Sequence, residues 1–221
     1  MMKLLNKRIF SKIYTIVGVN KRKIKGKSNS INCKNAYLKN VYISIKGNNN
    51  IINIHENVNL NRVKISITGD NNIIDIGENC NLINCDFVAK YNNCSIKIGS
   101  KSTAGNPDPK VGRTIFAAVE ENSHNMIGKD CMLAHDIDLR TGDGHPIYDL
   151  NHKRINEGKD IIISDHVWIG AYARILKGSF INNNSIVSLG AIVTKEFHEE
   201  NCIIAGVPAK IVKHDVMWER D

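Results

Sequence analysis

Aromatic residues are scarce, at 6% of the 221-residue chain. A core built on packed rings is thereby excluded, and aliphatic side chains must fill the interior that a 42% hydrophobic content allows. The six cysteines (Cys33, Cys80, Cys85, Cys94, Cys131 and Cys202) include no CxxC pair and no zinc spacing. No apolar run is long enough to span a bilayer, and no signal peptide with a cleavage site is present. The expectation is a reduced, cytoplasmic protein. Helix-turn-helix, RNP and zinc-finger patterns are missing as well, so nucleic acid is not the expected partner. The net charge of +8 must then serve something else: anionic lipid, an acidic polysaccharide or a phosphate-bearing cofactor.

What the chain does have is a strict period. Ile163, Ile169, Ile175, Ile181, Val187 and Val193 stand six residues apart without a slip. Two residues before each of the last five are Val167, Ala173, Ser179, Ser185 and Ala191, all small or β-branched. A helix repeats apolar positions every 3.6 residues and a strand every two. Six fits neither. It fits a chain that makes a flat side, turns a corner and repeats, which is a parallel β-helix. Cys80 and Cys131 fall on the small-residue phase, where a reduced thiol packs as a small hydrophobe.

A second repeat lies upstream. Gly47-Asn-Asn-Asn-Ile-Ile-Asn-Ile recurs 22 residues later as Gly69-Asp-Asn-Asn-Ile-Ile-Asp-Ile, and more weakly from Tyr91. Ile54, Ile76 and Ile98 are therefore equivalent inward positions. Three sides of six residues need only 18, so the four extra residues are expected to bulge at one corner. The Asn and Gly runs suit corners, which use left-handed backbone angles. His55 replaces Gly77 and Gly99 of the other copies and is read as an exposed corner residue.

Residues 1–27 differ from all this. Leu4, Leu5, Ile9, Ile13, Ile16 and Val17 can share one helical face, and Lys3, Lys7, Arg8, Lys12 and Lys21–Lys23 supply positive charge. Such a segment can cap the open first coil, which is the reading adopted, or lie on an anionic membrane at its inner face. The expected organisation is a basic amphipathic segment over 1–27, one β-helix over 28–213, and a tail over 214–221.

The six-residue phase at Ile127, Leu133 and Leu139 breaks over Arg140 to Asp160 and re-enters unchanged at Ile163. A break that keeps phase is a loop extruded from an intact coil, and long loops on rigid scaffolds carry function disproportionately. This loop contains Asp143-Gly-His-Pro-Ile147.

The hexads, with Ile169-Gly-Ala-Tyr-Ala-Arg174 as the fullest example, resemble the hexapeptide-repeat acyltransferases. Asp143-Gly-His-Pro-Ile147 is similar to the His-Pro loop of the maltose and galactoside acetyltransferase group and of bacterial polysaccharide and capsule O-acetyltransferases. Asp165-His-Val-Trp-Ile-Gly170 and Ala205-Gly-Val-Pro-Ala-Lys210 are similar to two further stretches of that family, in its order, over roughly Ile127 to Lys213. The resemblance implies an all-β, left-handed parallel β-helix. The hand comes from the resemblance alone, since ordinary crossovers are right-handed.

It also implies a chemistry. Acetyl transfer from the thioester of acetyl-CoA to a hydroxyl needs a base for the alcohol proton and a donor for the oxyanion. His145 is the candidate base, histidine being suited by an unperturbed pKa of about 6.5. Asp143 is a candidate to orient His145 or a sugar hydroxyl, though another carboxylate would serve equally. Trp168, before an inward Ile, should lie outside, and in similar enzymes a tryptophan of this stretch lines the acetyl site. No GxSxG elbow and no Cys–His motif supplies a covalent acyl carrier, which points to direct transfer in a ternary complex. Coenzyme A is expected against Ala171, Ser188, Gly190, Ala205 and Gly206, with Arg174, Lys195 and Lys210 near its phosphates and no metal involved. His135, His152 and His166 are left as surface residues. The family forms trimers with sites at subunit interfaces, so a homotrimer is expected, with a bacterial surface-polysaccharide sugar as acceptor. Three alternatives stand beside this: an amino-sugar N-acetyltransferase, a zinc carbonic anhydrase on the same solenoid (whose ligand spacing His135, His145 and His152 do not match), and a non-catalytic scaffold.

Overall fold

The computed structural model describes residues 20–33 and 35–220, and in them the six-residue period becomes three flat faces. Each coil gives one strand to each face. The first face stacks eight strands from Lys21–Lys25 to Ile192–Val193, and the second eight from Ser30–Cys33 to Glu196–Phe197. The third stacks nine, from Tyr37–Lys39 to the closing pair Ile203–Gly206 and Ala209–Lys213. All pairings between coils are parallel; only that closing pair is antiparallel. This is a left-handed parallel β-helix.

The interior is a set of vertical rows. On the first face Ile43, Ile65, Phe87, Phe116, Leu139, Ile175 and Val193 are successive register partners. On the third, Leu38, Leu60, Leu82, Ala104, Leu133, Ile169, Val187 and Ile204 are. All are buried. Each fully buried aliphatic side chain contributes roughly 1.5–3 kcal/mol, so the rows carry the stability. Two core phenylalanines, Phe87 and Phe116, stack with ring centroids 4.9 Å apart. Cys80, Cys85, Cys94, Cys131 and Cys202 are buried and unpaired. Burial pushes the thiols of Cys80 and Cys94 up to about 11 and those of Cys85 and Cys131 up to about 12, so they pack as small apolar groups.

Two expectations change. The four extra residues of the long coils do not bulge at one corner. Val63, Ile65 and Ile67 all point inward on the first face, and Asn72, Ile74 and Ile76 on the second, against only Cys80 and Leu82 on the third. Two sides are wider by one inward residue each. The disguise is Asn72, a buried polar residue at a core position: its backbone N–H donates to Asn50 Oδ1 (2.9 Å), its Oδ1 accepts from Cys94 N–H (2.8 Å), and its Nδ2 donates to Tyr91 O (3.0 Å). Corners are turned by left-handed residues, among them Asn49, Asn71, Asn93 and Asn122. Gly69, at φ 113°, sits where an added Cβ would lie 2.0 Å from Tyr91 O of the next coil.

The second change concerns Lys21–Lys25, expected within the basic segment of 1–27. These residues form the first strand of the first face, paired with Tyr42–Lys46. The backbone ladder, indifferent to side chains, extends the sheet one coil beyond the apolar rows, and the solenoid begins before residue 28. The remainder of that segment, 1–19, lies outside the described residues. His55 is exposed, as expected.

Candidate active site

The loop leaves the first face after Asp138–Arg140 and returns as Ile161–Ile163 of the second face, in register with Asn125–Ile127 below. It therefore stands on the corner between first and second faces of an unbroken coil. Its root is polar and buried: Thr141 Oγ1 accepts from Val119 N–H at 2.9 Å and meets Ser123 Oγ at 2.8 Å. Above the root the loop is a small hairpin, with Ile155 N–H donating to Ile147 O and Asp149 Oδ1 accepting from the amides of Asn151 and Lys153 at the tip.

Asn156 locks the His-Pro turn. It is buried, its Oδ1 accepts from Ile147 N–H at 2.6 Å, and its Nδ2 donates to His145 O at 2.8 Å and Asp143 Oδ2 at 2.9 Å. Lys177, on the same corner of the next coil, donates to Asp143 Oδ2 at 2.6 Å and to Asn156 O at 2.9 Å. The Lys177 ammonium, with help from Asn156, holds the Asp143 carboxyl below its ordinary value. His145 thus spends its carbonyl on the lock and leaves its ring exposed to solvent. Asp143 is held by Lys177 and Asn156 rather than by His145, which makes it a loop anchor in this chain. Asn156 and Lys177 are the site residues that sequence reasoning missed. A cleft of about 550 Å³ under the loop is lined by Glu120, Glu121, Glu157 and Arg154, and Arg154 is tied to Glu120 at 2.7 Å.

Trp168 stands on the outer side of the third face, 37% exposed, with its strand neighbour Ile169 buried. The loop is a whole face away. One chain therefore does not bring His145 and Trp168 together by itself.

The small residues do converge. Ala171, Ser188 and Gly190 lie on the corner between third and first faces in successive coils, with Gly190 N–H donating to Ala171 O at 2.9 Å. Ala205 and Gly206 end the next third-face strand toward the same corner. An added Cβ at Gly190 would meet nothing within 4 Å, so the backbone there is open to a ligand. Arg174 borders this corner but is paired with Asp136 at 3.2 Å. Lys210 is exposed in the closing strand. Lys195 sits on the loop's corner instead, its ammonium 5.4 Å from the Phe197 ring. His152 is exposed at the loop tip, while His135, read as a surface residue, packs edge-on against Tyr172 at 5.2 Å on the small-residue corner, its Nδ1 buried without a partner.

No family model matches the chain. It is 44% identical over 106 residues to the polysialic acid O-acetyltransferase of Escherichia coli O1:K1 / APEC, covering 48% of this chain and 34% of that protein. With the polysialic acid O-acetyltransferase of Neisseria meningitidis it is 40% identical over 131 residues, 59% of this chain and 57% of that one. The chain thus spans between a third and three fifths of the curated relatives it matches. The crystallographic structure of the polysialic acid O-acetyltransferase OatWY superposes with a TM-score of 0.80 at 38% identity, covering 91% of this chain and 92% of that one.

Proposed function

The chain belongs to the hexapeptide-repeat acyltransferase family, and from that premise we propose that it O-acetylates a bacterial surface polysaccharide with acetyl-CoA as donor. The observation that carries the reading is the His145 turn. It is held rigid by Asn156 and Lys177 on an undisturbed coil while its imidazole faces solvent. A scaffold has no use for such a device. The names of the relatives favour an anionic glycan of the polysialic acid kind, which also suits a chain of charge +8.

The chemistry follows from the parts. His145 takes the proton of the acceptor hydroxyl as its oxygen attacks the thioester carbonyl carbon. The negative charge that develops on the carbonyl oxygen needs a fixed donor, and the Trp168 indole N–H, a single directed donor, supplies it. Collapse breaks the carbon–sulfur bond, and the imidazolium returns the proton to the departing thiolate. Ala171, Ser188, Gly190, Ala205 and Gly206 offer the pantetheine an open backbone, with Arg174 and Lys210 beside them for phosphate. Because His145 and Trp168 occupy different faces of one chain, the site is shared between neighbouring copies, which supports a homotrimer with three sites.

The test is release of free coenzyme A thiol from acetyl-CoA with polysialic acid, neutral glycans and amino sugars as acceptors. Wild type should turn over with the anionic polymer. His145→Ala should lose at least about a hundredfold in turnover while keeping its oligomeric state. Full activity in that variant, or its failure to assemble, would sink the assignment.

A further inference from the structure

The last described residues do not trail away from the solenoid. After Ala209–Lys213 the chain turns back, Val216 N–H donates to Asn201 O at 2.9 Å, and the segment crosses the corner between second and third faces. Trp218 is only 7% exposed there. Its ring stacks on the His166 imidazole, centroids 4.1 Å apart and 9° from parallel, and its Nε1–H donates to His166 O at 3.0 Å. Its other ring neighbour is Trp168, centroid to centroid 6.2 Å. Arg220 fastens the end, donating to Asp130 O, Cys131 O and Thr103 Oγ1 and pairing with Asp130 Oδ1 at 3.1 Å.

His166 faces an acceptor on each side. Nδ1 lies 2.8 Å from Asp130 Oδ2, and Nε2 lies 3.1 Å from the carbonyl oxygen of Trp218. Asp130 and the Trp218 carbonyl thus bracket the ring from its two sides. The charged groups on the elements packed against it are Lys129 and Asp130 from the turn of the preceding coil, Asp165 beside it, Glu200 next to Asn183 of the following turn, and Glu219 and Arg220 of the returning segment. Asp130 touches both the ring and Arg220, and so ties the returning segment down at two points.

We propose that the segment 216–220 is a wall of the site around Trp168, latched through His166, Asp130 and Arg220, and that Trp218 is a positioning residue that fixes the Trp168 indole for acyl transfer. The proposal rests on the role given above to Trp168. That indole sits on a two-residue strand with over a third of its surface exposed, and an N–H that must meet a developing oxyanion needs a fixed ring. Trp218 supplies the flank.

The protein's tryptophans are these two alone, which makes the test direct. In Trp168→Phe, Trp218 is the sole tryptophan emitter, and its emission maximum should be that of a buried indole. It should move toward that of a solvent-exposed indole when Arg220→Ala is added, which removes the tie of the end to Asp130. An emission maximum unchanged by Arg220→Ala overturns the latch. In acetyl-transfer kinetics Trp218→Ala should lower kcat at least about tenfold, in line with the cost of a small misplacement, with KM for acetyl-CoA little changed. Trp218→Phe, which keeps an aromatic ring to stack on His166 but drops the Nε1–H bond, should recover most of it. If Trp168→Phe retains full turnover, the role of Trp168 falls; if Trp168→Phe is inactive and Trp218→Ala is fully active, only the wall falls.

Discussion

Asp143 holds its charge against Lys177, and that contact gives the His-Pro loop an acid limit. The folded carboxyl titrates below its ordinary value because of Lys177, so the pairing's contribution is present above the ordinary carboxylate range. It is lost as pH falls through the lowered folded value. Hydrogen exchange of the 143–158 amides, corrected for intrinsic rate, should therefore stay slow at neutral pH and quicken in acid. Lys177→Met should quicken it already at neutral pH. Equal protection in wild type and variant would refute the anchor. His145 was legible in the sequence because it sits inside a motif, whereas Asn156 and Lys177 were not. One lies eleven residues beyond His145 and the other on the next coil, and their roles exist only once the coil stacks them.

At the scale of the element, a coil is turned by its corners as much as by its rows. The buried side-chain amide of Asn72 satisfies two backbone groups of the next coil, the Cys94 N–H and the Tyr91 carbonyl. Asn72→Ala leaves the Cys94 amide and the Tyr91 carbonyl without partners, and each unsatisfied buried group costs about 1–3 kcal/mol. Urea unfolding of the variant should show a loss within that range or somewhat above it. A change within error would mean that water replaces the side chain. The period-six rows were readable because they are uniformly aliphatic. The width of the long coils was not, since a polar residue at an inward position looks from sequence like part of a turn. The returning segment was opaque for the same kind of reason. Trp218 lies beyond every repeat, and only the antiparallel closing strand turns it back onto the solenoid.

For the whole molecule, the separation of His145 from Trp168 by a full face makes a prediction about assembly. His145→Ala and Trp168→Ala chains should each be inactive alone. Denatured together in equal amounts and refolded as mixed assemblies, they should regain about a quarter of wild-type turnover if the site is built from two copies as proposed, because it is then intact whenever each supplies its unmutated residue. Mixtures as inactive as the separate chains would place both residues in one subunit. The fold class itself was plain from the spacing of six, and the hand was supplied by resemblance.

The long coils repeat with an unbroken partner register, Ile52 to Ile74 to Ile96 and Leu38 to Leu60 to Leu82. Nothing in the loop, the small-residue corner or Trp168 depends on how many such coils precede it. The upstream solenoid is thus a ruler graduated in steps of about 4.8 Å, the spacing of neighbouring strands. The distance from the basic strand Lys21–Lys25 to the His-Pro loop can be reset, one 22-residue unit at a time, by duplication or excision that leaves the loop and its own coil untouched.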